Sequence, residues 1–226
     1  MTTDELRATA GALTSLHQRF APLFGRIEAQ AQSLVYLNGL LLSHERKSAE
    51  PMALEFGEPS DSGIGQNQVL GLQRFLSQSP WDNQDVQHEI QVVYAEKLVP
   101  STATWSIGTV GVFDSSGFPK KGIESVGVQR QYCGRLGKKD NCQVGVFFVG
   151  VTPAGCASLD HQLYLPQVWA QDKERHAKVH VPKEIRFQTE LKIAVGLLDR
   201  NRSRIFHDGH MKNRLGHHQR ISKSRH

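Results

Sequence analysis

The hydrophobic periodicity of this chain changes once, near Pro100, and that change limits what it can fold into. Before it, apolar residues recur at helical spacing. Leu6, Leu13, Leu16 and Phe20 share one helix face. The segment from about Phe24 to Arg46 carries Ile27, Ala31, Leu34, Val35, Leu37, Leu40, Leu41 and Leu42, enough for a central helix of a bundle. Asn38-Gly39 marks a place for it to bend or break, since Gly costs about 1 kcal/mol against Ala in a helix. Residues 57–65 are turn formers and read as a loop. Val69, Leu70, Leu72 and Phe75 then resume the helical period over Gln66 to Leu76. Asp82, after Ser79-Pro80-Trp81, is placed to cap a further helix reaching about Lys97.

After Pro100 the apolar runs are short and β-branched. Thr109 to Phe113 reads as a strand ending at Asp114, and Ser125 to Tyr132 alternates loosely. Cys142 to Val151 is the most apolar run and reads as a buried strand. Gly155 to Leu165 gives a fourth, closed by Pro166. No helical segment interrupts them, so they are expected to pair antiparallel through turns such as Gly137–Asn141. Residues 184–200, with Ile185, Leu191, Ala194, Leu197 and Leu198, return to helical spacing. The expected class is α+β: a helical region over 1–100, a sheet region over 101–200, and a tail over 201–226.

Charge separates the tail from the rest. Residues 201–226 hold seven Lys/Arg against Asp208, whereas 1–200 hold 20 Lys/Arg against 21 Asp/Glu. The net charge of +5 is therefore a property of the tail. Its apolar residues are isolated, so it is expected to be disordered. Its histidines, His207, His210, His217 and His218, could bind metal incidentally, but a disordered His-rich tail is expected to do nothing specific. Cys133, Cys142 and Cys156 form no Cys-x-x-Cys pair and read as free, buried thiols. No run approaches the roughly 18 apolar residues of a membrane span. The start, with Asp4 and Glu5, lacks the pattern of a secretory signal, which leaves a cytoplasmic protein as the expectation.

Two features carry chemistry. Asp114 at a strand end is rigidly placed and fit to ligate a divalent cation, although an Asp before Ser-Ser-Gly is by itself a turn former. Lys120, Lys121, Arg130, Arg135, Lys138 and Lys139 fall close together, with Gln131 and Tyr132 among them and only Glu124 and Asp140 opposing. Cations flanking strand ends, with one aromatic, suit a phosphate backbone; a solvated charge run is the alternative. Trp81 and Trp105 read as packing residues, and no phosphate-binding glycine motif occurs.

Longer strings carry a resemblance. Phe113-Asp114-Ser115-Ser116-Gly117-Phe118-Pro119-Lys120-Lys121-Gly122 is followed in order by Ser125 to Gly134, by Asn141-Cys142-Gln143-Val144, by Leu163-Tyr164-Leu165-Pro166 and by Phe187-Gln188-Thr189. Upstream stand Tyr36-Leu37-Asn38-Gly39-Leu40, Glu45-Arg46-Lys47-Ser48 and Ser79-Pro80-Trp81-Asp82. Over roughly residues 15–200 the chain resembles bacterial insertion-sequence DDE transposases. The resemblance implies a partial RNase H-like mixed sheet behind a helical region that contacts DNA ends. It implies a pair of divalent metals, usually Mg²⁺, held by three carboxylates for in-line phosphodiester displacement. Asp114 matches the first carboxylate; Lys120, Lys121, Arg130, Lys138 and Lys139 become DNA-binding candidates. Insertion-sequence ends are the implied partner, with a second copy or a full-length transposase as the protein partner and the nucleoid as the place.

Two departures qualify it. Many relatives have a second acid after the first, and Ser115 stands there. The later acids of the family do not follow the helix; Asp208 comes too soon and lacks an apolar strand before it. The expectation is a C-terminally truncated copy, its reading frame lost near residue 205, that holds one carboxylate and cuts no DNA. A non-catalytic DNA-binding or regulatory fragment is the alternative, and a decayed product the blandest reading.

Overall fold

The computed structural model describes residues 3–42, 47–56 and 65–205. The expected loop over 57–65 lies outside them except for its last residue, and so do Asp208, the tail histidines and the tail from 206 onward. The chain divides into two compact units, Met1–Glu89 and Ile90–His226.

The first unit is helical: α1 (Thr3–Phe20), α2 (Ile27–Leu41), α3 (Ala49–Phe56) and α4 (Gly65–Ser77), with the start of α5 (Asn83–Val93). Its core joins Ala29 of α2, Met52 and Ala53 of α3, and Leu72 and Phe75 of α4. Trp81 packs there as expected, stacked on Phe75 at 6.0 Å and edge-on to Phe24 at 5.8 Å. Asp82 caps α5, its Oδ1 accepting from the Gln84 N–H at 2.7 Å. The expected break at Asn38-Gly39 does not occur, since α2 runs through both. Gly39 is there for closeness: a Cβ on it would lie 2.5 Å from Met52 Cγ. Helix α3 was not foreseen, because eight residues hold too little of the helical period.

The second unit is built on one long strand. The sheet comprises β1 (Val110–Pro119), β2 (Gln129–Cys133), β3 (Lys138–Thr152) and β4 (Gly155–Tyr164), and every pairing is antiparallel. β3 pairs with β1 over Cys142–Val151; it also pairs with β2 over Lys138–Cys142 and with β4 over Val144–Thr152. Three boundaries differ from expectation. β1 does not end at Asp114 but continues to Pro119, because β3 offers partners through Cys142. β2 starts at Gln129 rather than Ser125. The turn is Gly134–Gly137, a 3-10 turn, and Lys138–Asn141 belong to β3.

Helix α8 (Glu190–Ile205) covers one face of the sheet. Ile193 and Leu197, one turn apart, pack with Tyr94, Val146, Phe148 and Leu159. The helix starts at Glu190 rather than 184, because Thr189 caps it: its Oγ1 accepts from the Lys192 N–H at 3.2 Å. Short helices α6 (Gln167–Gln171) and α7 (Lys173–Lys178) precede it, both unforeseen for the same reason as α3.

A buried polar chain fixes α8 to the sheet. Leu159 is the extra residue of a bulge in β4, between the pairs Phe148–Asp160 and Val149–Ser158. Gln91 Nε2 donates to Leu159 O at 2.7 Å and to Asn201 Oδ1 at 2.9 Å. Asn201 Nδ2 in turn donates to Asp160 Oδ2 at 2.7 Å. Removing a partner from such a chain leaves buried acceptors unsatisfied, so Gln91→Ala should lower the unfolding free energy by about 2 kcal/mol in urea titrations.

All three cysteines are free, but only Cys133 and Cys142 are buried; Cys156 is exposed, against expectation, near the β3–β4 turn. Burial, with Cys133 beside it, pushes the Cys142 thiol up to about 11. At pH 8 only about one in a thousand of such thiols is the reactive thiolate. Iodoacetamide on the folded protein should therefore label Cys156 alone, and Cys133 and Cys142 only after denaturation, as read by peptide mass.

Candidate active site and nucleic-acid interface

Side chains alternate across a strand, and residues directly opposite in the ladder share a face. Counting from Asp114 separates the two faces of this sheet. Asp114 pairs with Phe147, Ser116 with Gly145 and Phe118 with Gln143. Continuing along β3, Asn141 pairs with Arg130 and Lys139 with Tyr132. Asp114, Arg130, Tyr132 and Lys139 thus lie on one face, opposite to the face that α8 covers through Val146 and Phe148.

Asp114 is exposed in mid-strand on this open face. Its Oδ1 accepts from the Ser115 N–H at 2.9 Å. Beside it runs a row of rings: Phe118 lies 6.1 Å from Phe147, and Phe147 stacks on His161 of β4 at 6.0 Å. Ser115 is turned the other way, opposite Val146. Its hydroxyl donates to Glu190 Oε2 in the first turn of α8. An acid at position 115 would here point away from the Asp114 face. Sequence reading missed Ser115–Glu190 and His161, although period-two counting from Asp114 would have sorted Ser115 and Ser116 by face.

The basic candidates divide into three places. Arg130 and Lys139 stand on the open face. Lys138 is one residue out of phase and forms an ion pair with Asp140 at 3.2 Å. The Asp140 carboxyl is held low first by the Asn141 N–H and then by Lys138. Lys120 and Lys121 follow β1 in a loop, both exposed. Among the described residues, Lys120, Lys121, Arg130 and Lys139 are in no ion pair.

That loop is held by side chains bonded to its backbone. Asn141 Nδ2 donates to Lys120 O at 2.7 Å and to Gly122 O at 2.9 Å. Gln143 Nε2 donates to Val126 O at 2.6 Å. Fully buried Trp169 of α6 donates to Val128 O at 2.7 Å. The Arg175 guanidinium lies 3.8 Å over the Trp169 ring and donates to Ile123 O at 2.6 Å. Gly127 sits at φ 75°, and a Cβ there would lie 2.9 Å from Tyr164 O, so only glycine fits. The string from Lys120 to Val128 is thus a loop, tied down by these bonds, that presents Lys120 and Lys121.

A family model described as a DDE superfamily endonuclease matches residues 19–211. That span runs past residue 205, near which the resemblance read from the strings stops. A probable transposase for insertion sequence element IS701 from Microchaete diplosiphon is 32% identical over 114 residues, 50% of this chain and 28% of that relative. The match therefore takes in less than a third of the relative's own length. No solved structure matches. Among the described residues, no helix is long and apolar enough to cross a membrane.

Proposed function

The chain belongs to the DDE superfamily of endonucleases, and on that footing we propose that its sheet presents insertion-sequence DNA to a centre whose first metal-binding carboxylate is Asp114. The observation that carries this reading is the shared face of Asp114, Arg130 and Lys139. Cations stand at one end of β3 and an exposed carboxylate further along it, with the loop bonded to Asn141 and Gln143 between them, where it can carry Lys120 and Lys121 to the same phosphate backbone. Lys120 and Lys121, in the loop bonded to Asn141, flank the same end and add to its positive field, whereas the charge of Lys138 is taken up by Asp140.

The superfamily uses divalent metal in general, and we propose Mg²⁺ for this chain. Asp114 supplies one carboxylate on the open face. Among the described residues, no three His, Cys, Asp or Glu side chains come together as a metal site. Glu190 is engaged by Ser115 on the opposite face. These residues do not fit a pair of metals by themselves, so DNA binding is the activity they support. That favours the second reading as well: a DNA-binding or regulatory role among transposases on the bacterial chromosome, alongside a second copy or a longer relative.

A filter or anisotropy titration with insertion-sequence-end DNA tests the binding. Affinity should fall steeply with salt, and each of Lys120→Ala, Lys121→Ala, Arg130→Ala and Lys139→Ala should reduce the slope of log K against log salt by about 1. Binding without salt dependence would count against the phosphate contacts. Incubation of the same complex with Mg²⁺ should yield no nicked or joined product. Cleavage that disappears in Asp114→Asn would overturn the binding-only reading and leave Asp114 as a working ligand.

A further inference from the structure

Tyr132 has no role in the phosphate contacts described above, yet its placement is specific. It is 63% exposed on the open face of β2. Arg130 stands two residues before it on the same face, and Lys139 directly across the ladder. The hairpin beneath is rigid: Cys133 and Cys142 are fully buried behind it, and Gln131 Nε2 donates to Cys142 O at 2.8 Å. An aromatic ring held out to solvent between two unpaired cations matches one chemistry well. The cations take phosphates, and the ring takes the flat face of a base. Inside a duplex the bases are paired and stacked on one another, so the ring takes an unpaired base, which is free to turn its face to it.

We propose that Arg130, Tyr132 and Lys139 form a stacking platform for an unpaired DNA base, which makes DNA with a single-stranded end the preferred ligand of this face. The proposal rests on the reading that the basic hairpin binds DNA. A tyrosine can instead donate its hydroxyl to a phosphate. That role tolerates a duplex and is lost in Tyr132→Phe, whereas stacking survives that change.

Anisotropy titrations of the whole chain with a blunt duplex, and with the same duplex carrying a short single-stranded extension, separate these outcomes. The extended DNA should bind about tenfold more tightly than the blunt one. 2-Aminopurine in the extension should lose fluorescence on binding. Tyr132→Phe should keep both effects. Tyr132→Leu, which retains apolar bulk without a π face, should bring the extended DNA down to the affinity of the blunt duplex and abolish the quench. Equal affinity of the unaltered chain for the two DNAs, a preference that survives Tyr132→Leu, or one lost in Tyr132→Phe would each overturn the platform while leaving duplex binding in place. Failure to bind either DNA would overturn the DNA-binding reading and the platform with it.

Discussion

β3 hydrogen-bonds along both edges, and the other three strands take their register from it. A slip of one residue would move every side chain to the wrong face. The slip is opposed from the α8 side, where Val146, Phe148 and Leu159 meet Ile193 and Leu197 in a buried apolar cluster. It is opposed again by Gln91 and Asn201, which satisfy the bulged Leu159 carbonyl and reach Asp160. Packing and polar satisfaction thus agree on one register. The face opposite α8 is free to carry charge because the core lies behind it.

Much of this was legible from periodicity. The switch from helical to strand spacing, the apolar run of β3, the absence of helices between strands and the Asp82 cap all follow from local rules, and the structure bears them out. What was not legible depends on partners far away in sequence. Ser115 to Pro119 have weak strand preference, yet they pair because β3 is long enough to receive them. Gly39 looks like a helix breaker until Met52 is seen against it. Lys138 to Asn141 look like a turn, but the 3-10 turn before them does that work. Helices of five to eight residues carry too little period to be recognised.

The candidate site shows the same division. Asp114 and the cations were identifiable as residue types and as strings of a transposase-like sequence. Their common face was not, because it depends on the ladder that links β1 to β2 through β3. The strings also conflated two roles. Within Pro119 to Tyr132, Gly127, Val126 and Val128 hold the loop through Gln143 and Trp169, while Lys120, Lys121 and Arg130 face solvent. A string match alone does not tell scaffold from contact.

The length of β3 has a consequence for distance. Phe147, across from Asp114, and Lys139 are eight positions apart, about 27 Å at the usual rise of about 3.4 Å per residue. Duplex DNA advances by nearly the same amount per base pair, so for the DNA contact proposed above the strand would be a gauge with about one base pair to each residue. On that binding, Asp114 would stand about eight base pairs from the phosphate nearest Lys139. Lengthening it by two residues would keep both groups on one face and move the gripped position outward by about two base pairs. Lengthening it by one would turn the grip to the wrong side of the sheet.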